Sequence, residues 1–361
     1  MLCIAYMKGL LQICIMTGRW SIISGRQLHL KKIMIAAFII MSQTYCYAQN
    51  KKKMKETVNP MLCKPERGFC ELPIHKENHT DGGELKPKEK TVKLIYFTDP
   101  ICSSCWGIEA QLRKLNLEYG TNYTIEYRMG GLLPDWNYNV GGISKPSDVA
   151  THWEQAAAYY DMPIDGDVWL EDPLHSSYPP SIACKAAQMQ DSEKSIKFLR
   201  EIREMVFLRK KNITKWEHLE HAAKNAGLNI GQFKTDYNEK AGALFEEDLK
   251  LTRSLGVNGF PTLIFTNAMG NKEQVYGSAP YQTFENALLK VFPAASKTNY
   301  DKSWKALFNK YHSLTTKEFA VLSETSGNES EKLLNKLTAE GHLTKTTYGK
   351  GALWTVNKPT H

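Results

Sequence analysis

The stretch that decides the fold is residues 94–107, Leu-Ile-Tyr-Phe-Thr-Asp-Pro-Ile-Cys-Ser-Ser-Cys-Trp-Gly. Its first half belongs to a β-prone run that ends at the turn signal Asp99-Pro100. Its second half holds two cysteines, Cys102 and Cys105, and the apolar spacing from Gly107 to Tyr119 predicts a helix directly after them. A strand therefore leads into a pair of thiols that one helical turn brings together.

A second strand completes this local unit. The β-prone run Tyr123 to Met129 follows the helix, so strand, helix and strand come at the compact spacing of a βαβ unit. Helical periodicity then dominates, and we assign a large helical insertion at about 148–257.

Strands return after the insertion. Two short β-prone runs, Thr262 to Phe265 and Gln274 to Tyr276, have the pattern of a hairpin, and Pro280 to Phe292 predicts a closing helix. We therefore predict an α/β domain at 91–293 whose two halves are separated by the helical block.

The two cysteines have distinct expected roles. Cys102 lies at the first turn, where backbone N–H groups and the helix dipole favour a thiolate, so it is the predicted attacking sulfur. Cys105 lies one turn further in, is expected to be less exposed, and would resolve the mixed disulfide. The alternative is half of a zinc site, but no further pair of ligands lies near it in sequence, and we interpret the pair as redox-active.

At this point the chain resembles the DsbA-like branch of the thioredoxin superfamily, in particular its FrnE-like members and the related SpxH (YjbH-type) adapter group. The resemblance rests on Tyr96 to Gly107, on the helical insertion, and on Gly259-Phe-Pro-Thr262 ahead of a strand. It implies a DsbA-like thioredoxin fold in which Pro261 is cis and faces the active-site cysteine. The loop formed by Phe260, Pro261 and Thr262 would then pair with an extended substrate peptide.

The resemblance leaves two functions open. Strong oxidants of this family usually carry a His between the cysteines, whereas Ser103-Ser104 supplies no positive charge, so we expect a less oxidising pair. The first hypothesis is a thiol–disulfide oxidoreductase acting on protein substrates, without a cofactor. The alternative is an adapter that delivers a regulator to the ClpXP protease, with the C-x-x-C pair as a redox sensor or a remnant. Trp106 either packs in the core or lines the peptide groove.

An irregular arm at 54–90, rich in Lys, Glu, Pro and Gly, precedes the domain and holds Cys63 and Cys70. Three interpretations of these cysteines stay open. They are a second redox pair that exchanges with the active-site sulfur, a zinc site completed by His75 and His79, or surface thiols without a role.

Other candidates carry weaker signals. Asp99 is either a proton acceptor for Cys105 or a turn residue. Cys184 is interpreted as a buried structural thiol. His218 and His221 lie one turn apart on a predicted helix, where they could share a metal ion, but such a pair more often lies on a solvated face, which is our assignment.

A small module is predicted at 300–361, beyond a polar linker. Thr315 with Glu318 begins one helix, Asn328 with Glu331 begins another, and a hairpin follows. This order is typical of a winged helix. The second helix, from Asn328 to Glu340, carries two lysines against three acids, which disfavours groove binding of nucleic acid and favours a protein contact.

Charge distribution excludes a strongly basic globular part. The formal net charge is +8, but nine basic residues and no acid lie in the first 55 positions, which leaves 37 of the 46 basic residues against all 38 acids. With 42% hydrophobic and 23% charged residues, the chain is not disordered throughout. The net charge by itself would suggest a nucleic-acid partner, but its distribution leaves the globular part close to neutral and disfavours one.

The first 53 residues contain Lys31-Lys32 and the apolar run Ile33 to Met41, the layout of a signal peptide. The run is too short for a transmembrane span. A charged region this far from the start is unusual, so the competing interpretation places the true translation start at Met54. The second interpretation predicts a cytoplasmic protein, and the first predicts export.

Overall fold

The structure is a computed structural model that describes residues 92–137 and 144–357, together with the backbone of residues 63–64 and 69–71. The predicted leader and the two histidines proposed for a zinc site fall outside the described residues. The signal-peptide, translation-start and zinc hypotheses therefore stay predictions.

Strands and helices follow each other in the predicted order through residue 291. They are β1 (Cys63–Lys64), β2 (Phe69–Glu71), β3 (Val92–Thr98), α1 (Ser103–Gly107), α2 (Glu109–Tyr119), β4 (Tyr123–Met129), α3 (Pro146–Tyr160), α4 (Val168–Glu171), α5 (Tyr178–Gln190), α6 (Ser192–Phe207), α7 (Trp216–Asn225), α8 (Ile230–Glu239), α9 (Ala241–Ser254), β5 (Gly259–Phe260), β6 (Thr262–Thr266), β7 (Lys272–Tyr276) and α10 (Tyr281–Val291).

The central sheet has four strands in the order β4-β3-β6-β7. β3 runs parallel to β4, as a strand–helix–strand crossover requires, and antiparallel to β6, which forms an antiparallel pair with β7. This mixed sheet confirms the predicted thioredoxin-type α/β fold. The helices α3 to α9 lie between β4 and β5 in the chain, which confirms the helical insertion.

Successive residues of β3 face opposite sides of the sheet, and each side has its own core. Tyr96 belongs to a cluster with Ile108 and Phe284, against α2 and α10. Phe97 belongs to a larger cluster with Met129 and Trp153, on the side of the helical insertion. The side chains of Tyr96 and Phe97 are both fully buried, so the strand that leads into the cysteines is packed on both faces.

The helix predicted from Gly107 to Tyr119 is two helices. The chain breaks at Ile108, whose φ of −98° and ψ of 6° leave the helical region, and α1 carries the cysteine motif by itself. Gly107 is the last residue of α1, and a Cβ there would lie 2.4 Å from the ring of Tyr160. The insertion therefore packs directly against the motif helix, which the local apolar spacing does not reveal.

A second, small sheet lies beside the first, in the order β1-β2-β5. β1 and β2 pair antiparallel with Cys63 opposite Cys70. β2 in turn pairs antiparallel with β5, which places Cys70 opposite Phe260 and Glu71 opposite Gly259. The arm thus contributes a strand to the loop that precedes β6.

The carboxyl-terminal residues form a further unit of helices and sheet. Its elements are α11 (Trp304–Lys310), β8 (Ser313–Thr315), α12 (Thr316–Ser323), α13 (Gly327–Ala339), β9 (Leu343–Tyr348) and β10 (Gly351–Val356). The strands form a sheet in the order β8-β10-β9. The two predicted helices and the hairpin are present, with an additional helix and strand ahead of them. The winged-helix assignment and the domain boundaries stay predictions.

Capping residues explain where these helices begin. Thr315 and Glu318 form a complete capping box at the start of α12, as predicted. At α13 the box is formed by Ser326 and Glu329, so the helix begins two residues earlier than the sequence pattern of Asn328 indicated. Ser326 with Glu329 and Asn328 with Glu331 both have the spacing of a capping box, and the first of the two is the one formed.

Among the residues that the structure describes, no helix has the length and apolar character needed to cross a membrane.

Candidate functional site

The cysteine pair lies at the start of α1, directly after β3. Asp99 shapes the turn that delivers it, because its Oδ1 accepts a hydrogen bond from the Ile101 N–H at 3.0 Å. Cys102 is the N-cap residue, with extended backbone, and its Sγ accepts a hydrogen bond from the Cys105 N–H at 3.3 Å. The local chain therefore holds the two sulfurs on one helical turn.

Both cysteines have no exposed surface. The expectation that Cys102 is the more exposed sulfur is wrong for this conformation. Long-range contacts account for the difference, since Cα atoms of β2 lie within 8 Å of Cα atoms of α1. The Phe260 carbonyl, which accepts a hydrogen bond from the Cys102 Sγ at 3.8 Å, closes the site from the side of the proline loop.

The proline loop is a bend stabilised by a hydrogen bond between its own residues. The peptide bond between Phe260 and Pro261 is cis. The Thr262 hydroxyl donates to the Gly259 carbonyl at 2.8 Å, and both Phe260 and Thr262 are fully buried. The ring of Phe260 lies against the backbone of Gly130, where any Cβ would lie 1.6 Å from its Cζ. The structure thus brings three of the residues proposed for a peptide site next to Cys102.

Trp106 is packed in the interior. Its ring stacks on Phe207 at 5.5 Å between centroids, and its Nε1 donates to the Pro163 carbonyl at 3.0 Å. The guanidinium of Arg200 lies over the same ring, 4.4 Å from its centroid. In this conformation Trp106 connects the motif helix to the helical insertion, and a contact with a peptide stays a prediction.

A buried arginine supplies the positive charge that the Ser-Ser pair lacks. Arg203 has no exposed surface and donates to the Thr98 hydroxyl at 2.6 Å and to the Asp99 carbonyl at 3.3 Å. It also forms an ion pair with Glu109. Although burial alone would raise it, the pKa of Cys105 is lowered by the neighbouring Cys102 and by the charge of Arg203. Sequence reasoning missed Arg203, whose only signal was a basic residue beside the apolar stripe of α6.

Cys102 shifts in the opposite direction. Burial raises its pKa well above the ordinary thiol value, and the neighbouring Cys105 raises it further. In this conformation Cys105 therefore loses its proton more readily than Cys102 does.

The Asp99 side chain forms hydrogen bonds with segments around the cysteine pair. Its carboxylate accepts hydrogen bonds from the Leu132 N–H at 2.8 Å and from the Ser177 hydroxyl at 2.9 Å. Burial raises the pKa of this carboxyl to about 6, against the effect of those hydrogen bonds. Its side-chain bonds go to backbone and hydroxyl groups of other segments, which supports the turn interpretation made from the sequence.

The remaining candidates lie elsewhere. Cys184 is buried, as predicted, and burial raises its pKa to about 12. His218 is half-buried with its Nδ1 2.8 Å from the Asn212 carbonyl, whereas His221 is exposed. Within residues 92–137 and 144–357, no three metal-ligating side chains converge. For Cys63 and Cys70 the structure gives backbone positions, which β1 and β2 place beside the proline loop.

A C-x-x-C pair between a strand and a helix, with a proline loop against the first sulfur, defines a protein of the thioredoxin class. The sequence model of the family described as Thioredoxin matches residues 96–286, more than half of the chain. The ClpXP adapter protein SpxH of Halalkalibacterium halodurans is 34% identical over 302 residues, which cover 82% of this chain and 97% of that protein. The chain belongs to the thioredoxin family and, within it, to the DsbA-like SpxH group.

Two further proteins are similar to this chain. The ClpXP adapter protein SpxH of Shouchella clausii is 30% identical over 297 residues, covering 81% of this chain and 95% of that protein. Among solved structures, the cytosolic disulfide reductase DsbM from Pseudomonas aeruginosa is 22% identical, with a TM-score of 0.45, 55% of this chain and 98% of that chain covered.

Proposed function

We propose that this protein is an adapter that binds a client regulator and presents it to the ClpXP protease. The observation that supports this most is the extent of the similarity to proteins named as ClpXP adapters. It covers 97% of the Halalkalibacterium halodurans protein and extends well beyond the residues 96–286 matched by the thioredoxin family.

The state of the cysteine pair also favours an adapter. A protein dedicated to disulfide transfer keeps its attacking sulfur accessible and its pKa low. Here Cys102 has no exposed surface and burial raises its pKa. Binding of a client through the surface of the protein does not require that sulfur to be reachable.

A fixed arrangement of the sheet domain and the carboxyl-terminal unit suits the presentation of a client. The fully buried carboxylate of Glu318, on α12, accepts hydrogen bonds from Arg200 of the helical insertion and lies 3.3 Å from Arg113 of α2. The residues from 301 onward hold nine lysines against six acids, and α13 together with its C-cap Glu340 holds two lysines against three acids. We expect this unit to contact protein. We place the adapter in the cytoplasm, together with its protease.

The test is a reconstituted degradation assay. Proteins that accumulate when the gene is deleted, and return to normal on complementation, supply candidate clients. Each is purified and incubated with ClpXP from the same organism, with and without this chain. An adapter accelerates degradation about 10-fold or more, because it raises the effective concentration of the client at the protease. If no candidate is degraded faster with the chain present, the adapter proposal is wrong.

Thiol–disulfide exchange is the second candidate function, and a specific observation favours it. Arg203 lowers the pKa of Cys105, which makes Cys105 a good leaving group when a thiolate attacks Cys102. The proline loop beside Cys102 offers backbone that an extended client could pair with. The substrate would be a protein disulfide or dithiol, and the pair itself would carry the electrons.

One variant separates the two functions. Cys102→Ser removes the attacking sulfur, so it abolishes reduction or oxidation of a model protein disulfide if exchange is the function. It leaves ClpXP-dependent client degradation intact if the protein acts as an adapter. Cys184→Ser, which changes a buried thiol distant in sequence from the pair, is the matched control and should retain both. A client trapped as a mixed disulfide by Cys105→Ser would contradict the adapter as the sole function.

A further inference from the structure

The arm of this protein occupies the edge of the proline loop. β2 pairs antiparallel with β5, and β5 contains Phe260, the residue that precedes Pro261. An extended strand paired to an exposed backbone edge is the geometry by which such edges bind peptides. In this structure the strand belongs to the protein's own chain.

Phe260 contacts both the arm and the buried cysteine pair. The Phe260 carbonyl accepts a hydrogen bond from the Cys102 Sγ at 3.8 Å. Cys70 is the cross-strand partner of the same residue. Directly opposed residues of antiparallel strands have Cα atoms about 4.5–5.5 Å apart. Cys70 and Cys102 are therefore both immediate neighbours of Phe260.

The second cysteine of the arm lies in register with the first. Cys63 is directly opposite Cys70 in the β1–β2 pair. A disulfide spans Cα separations of about 4.4–6.8 Å, which includes the separation of opposed residues in an antiparallel pair. The backbone of the arm as it stands therefore permits a bond between these two cysteines.

We propose that the β1–β2 pair is an internal redox partner of the site, and that Cys63 and Cys70 exchange a disulfide with Cys102 and Cys105. The Cys70 thiolate attacks the Cys102 sulfur of the oxidised site pair, which breaks the Cys102–Cys105 bond and releases Cys105 as a thiolate. The Cys63 thiolate then attacks Cys70, which forms the Cys63–Cys70 bond and releases Cys102.

The exchange balances within the chain. Two electrons pass from the arm cysteines to the site cysteines, and the two protons lost by Cys63 and Cys70 are taken up by the released thiolates. The transfer needs no external oxidant or reductant once the site pair is oxidised. Arg203 favours this direction, because it stabilises Cys105 as the leaving thiolate.

This proposal is independent of the adapter function, because the exchange needs no client. It also chooses among the three interpretations that the sequence leaves open for the arm cysteines. The register beside Phe260 distinguishes Cys70 from Cys63 as the residue that meets Cys102 first.

Trapping the intermediate tests the proposal. The full-length double variant Cys63→Ser, Cys105→Ser lacks both residues that resolve the mixed disulfide. After treatment with oxidised glutathione, alkylation and peptide mapping by mass spectrometry, we expect a Cys70–Cys102 linkage within monomeric protein. The matched variant Cys70→Ser, Cys105→Ser keeps Cys63 instead. Its Cys63–Cys102 linkage should be about 10-fold less abundant, since effective concentration depends on register.

The outcomes are distinct. Equal linkage of Cys63 and Cys70, linkage of Cys102 only to cysteines upstream of residue 54, or no linkage while Cys102 is glutathionylated would each overturn the proposal. A second measurement does not depend on the stability of those variants. In otherwise unchanged protein with an oxidised site pair, the Cys63–Cys70 disulfide should appear as the Cys102–Cys105 disulfide is lost. Cys63→Ser should leave the site pair oxidised.

Discussion

Arg200 binds the carboxylate of Glu318 through two hydrogen bonds, of 2.8 and 3.0 Å, between residues 118 positions apart in the chain. The same guanidinium lies over the ring of Trp106, next to Cys105. One arginine of the helical insertion therefore contacts both the cysteine-bearing helix and the carboxyl-terminal unit. The attachment of that unit depends on a buried charge cluster.

Glu318→Gln should weaken this attachment strongly. Although burial opposes ionisation, Arg113 and Arg200 hold the pKa of Glu318 below its usual value, so the carboxylate is charged. Removing one partner of a buried ion pair typically costs about 3–5 kcal/mol. We expect a loss of that order in denaturant unfolding and faster proteolysis between residues 293 and 300. Glu329→Gln removes the equivalent capping-box carboxylate at an exposed position and should cost far less. Equal losses would show that the buried pairing is unimportant.

Gly130→Ala should disrupt the proline loop. The new Cβ would lie 1.6 Å from the Phe260 Cζ, and the ring is fully buried. Overpacking of this kind costs about 1–3 kcal/mol or more, and displacement of Phe260 should also speed alkylation of Cys102. The control is Gly242→Ala in α9, where nothing lies within 4 Å of the added Cβ. It should leave alkylation unchanged and stabilise the helix by up to about 1 kcal/mol. Unchanged alkylation in Gly130→Ala would contradict the steric argument.

Arg203→Gln should raise the pKa of Cys105. The substitution removes the buried positive charge that favours the Cys105 thiolate. Arg203→Lys retains the charge and should shift the pKa less. An NMR titration of isotope-labelled cysteine Cβ atoms resolves Cys105 from Cys184, whose pKa of about 12 keeps it protonated throughout the neutral range. Identical Cys105 titrations in both variants would show that Arg203 acts only through packing.

Asp99→Asn tests whether the raised pKa of Asp99 makes the folded protein less stable as the pH rises. The folded pKa of Asp99 is about 6, above its unfolded value, so its contribution to stability is fully present below about pH 4. That contribution is lost as the pH rises through 6. With about 1.4 kcal/mol per pKa unit, wild type should lose about 2 kcal/mol relative to the variant between pH 4 and 7. Any constant effect of the altered hydrogen bonds cancels in this pH dependence.

Asp191 is the control for Asp99, because its pKa is shifted in the opposite direction. Asp191 caps α6 by accepting from the Lys194 N–H, and this backbone hydrogen bond lowers its pKa. Its contribution is present above the unfolded pKa and is lost as the pH falls. Wild type should therefore gain on Asp191→Asn as the pH rises through the acid range. Urea unfolding at a series of pH values measures the free energy of unfolding of wild type and of both variants. If the difference from wild type changed with pH in the same way for both variants, the raised pKa of Asp99 would be refuted.

Much of the fold could be predicted because its signals are local. The β-prone run of β3, the turn at Asp99-Pro100 and the helical periodicity of the insertion all arise within short stretches of chain. The capping box of Thr315 and Glu318 was likewise found where its pattern predicts. The break at Ile108 was missed, because a tertiary contact between Gly107 and Tyr160 accompanies it.

The candidate site likewise has some features that local sequence predicts and others that depend on tertiary contacts. Spacing and local secondary structure are enough to predict that Cys102 and Cys105 share one helical turn after a strand. Only the tertiary structure placed Arg203 beside the pair, through hydrogen bonds to residues 94 and 105 positions away. It alone paired Cys70 with Phe260 and excluded water from Cys102. Charge, burial and register depend on which distant segments meet, and no local pattern records that.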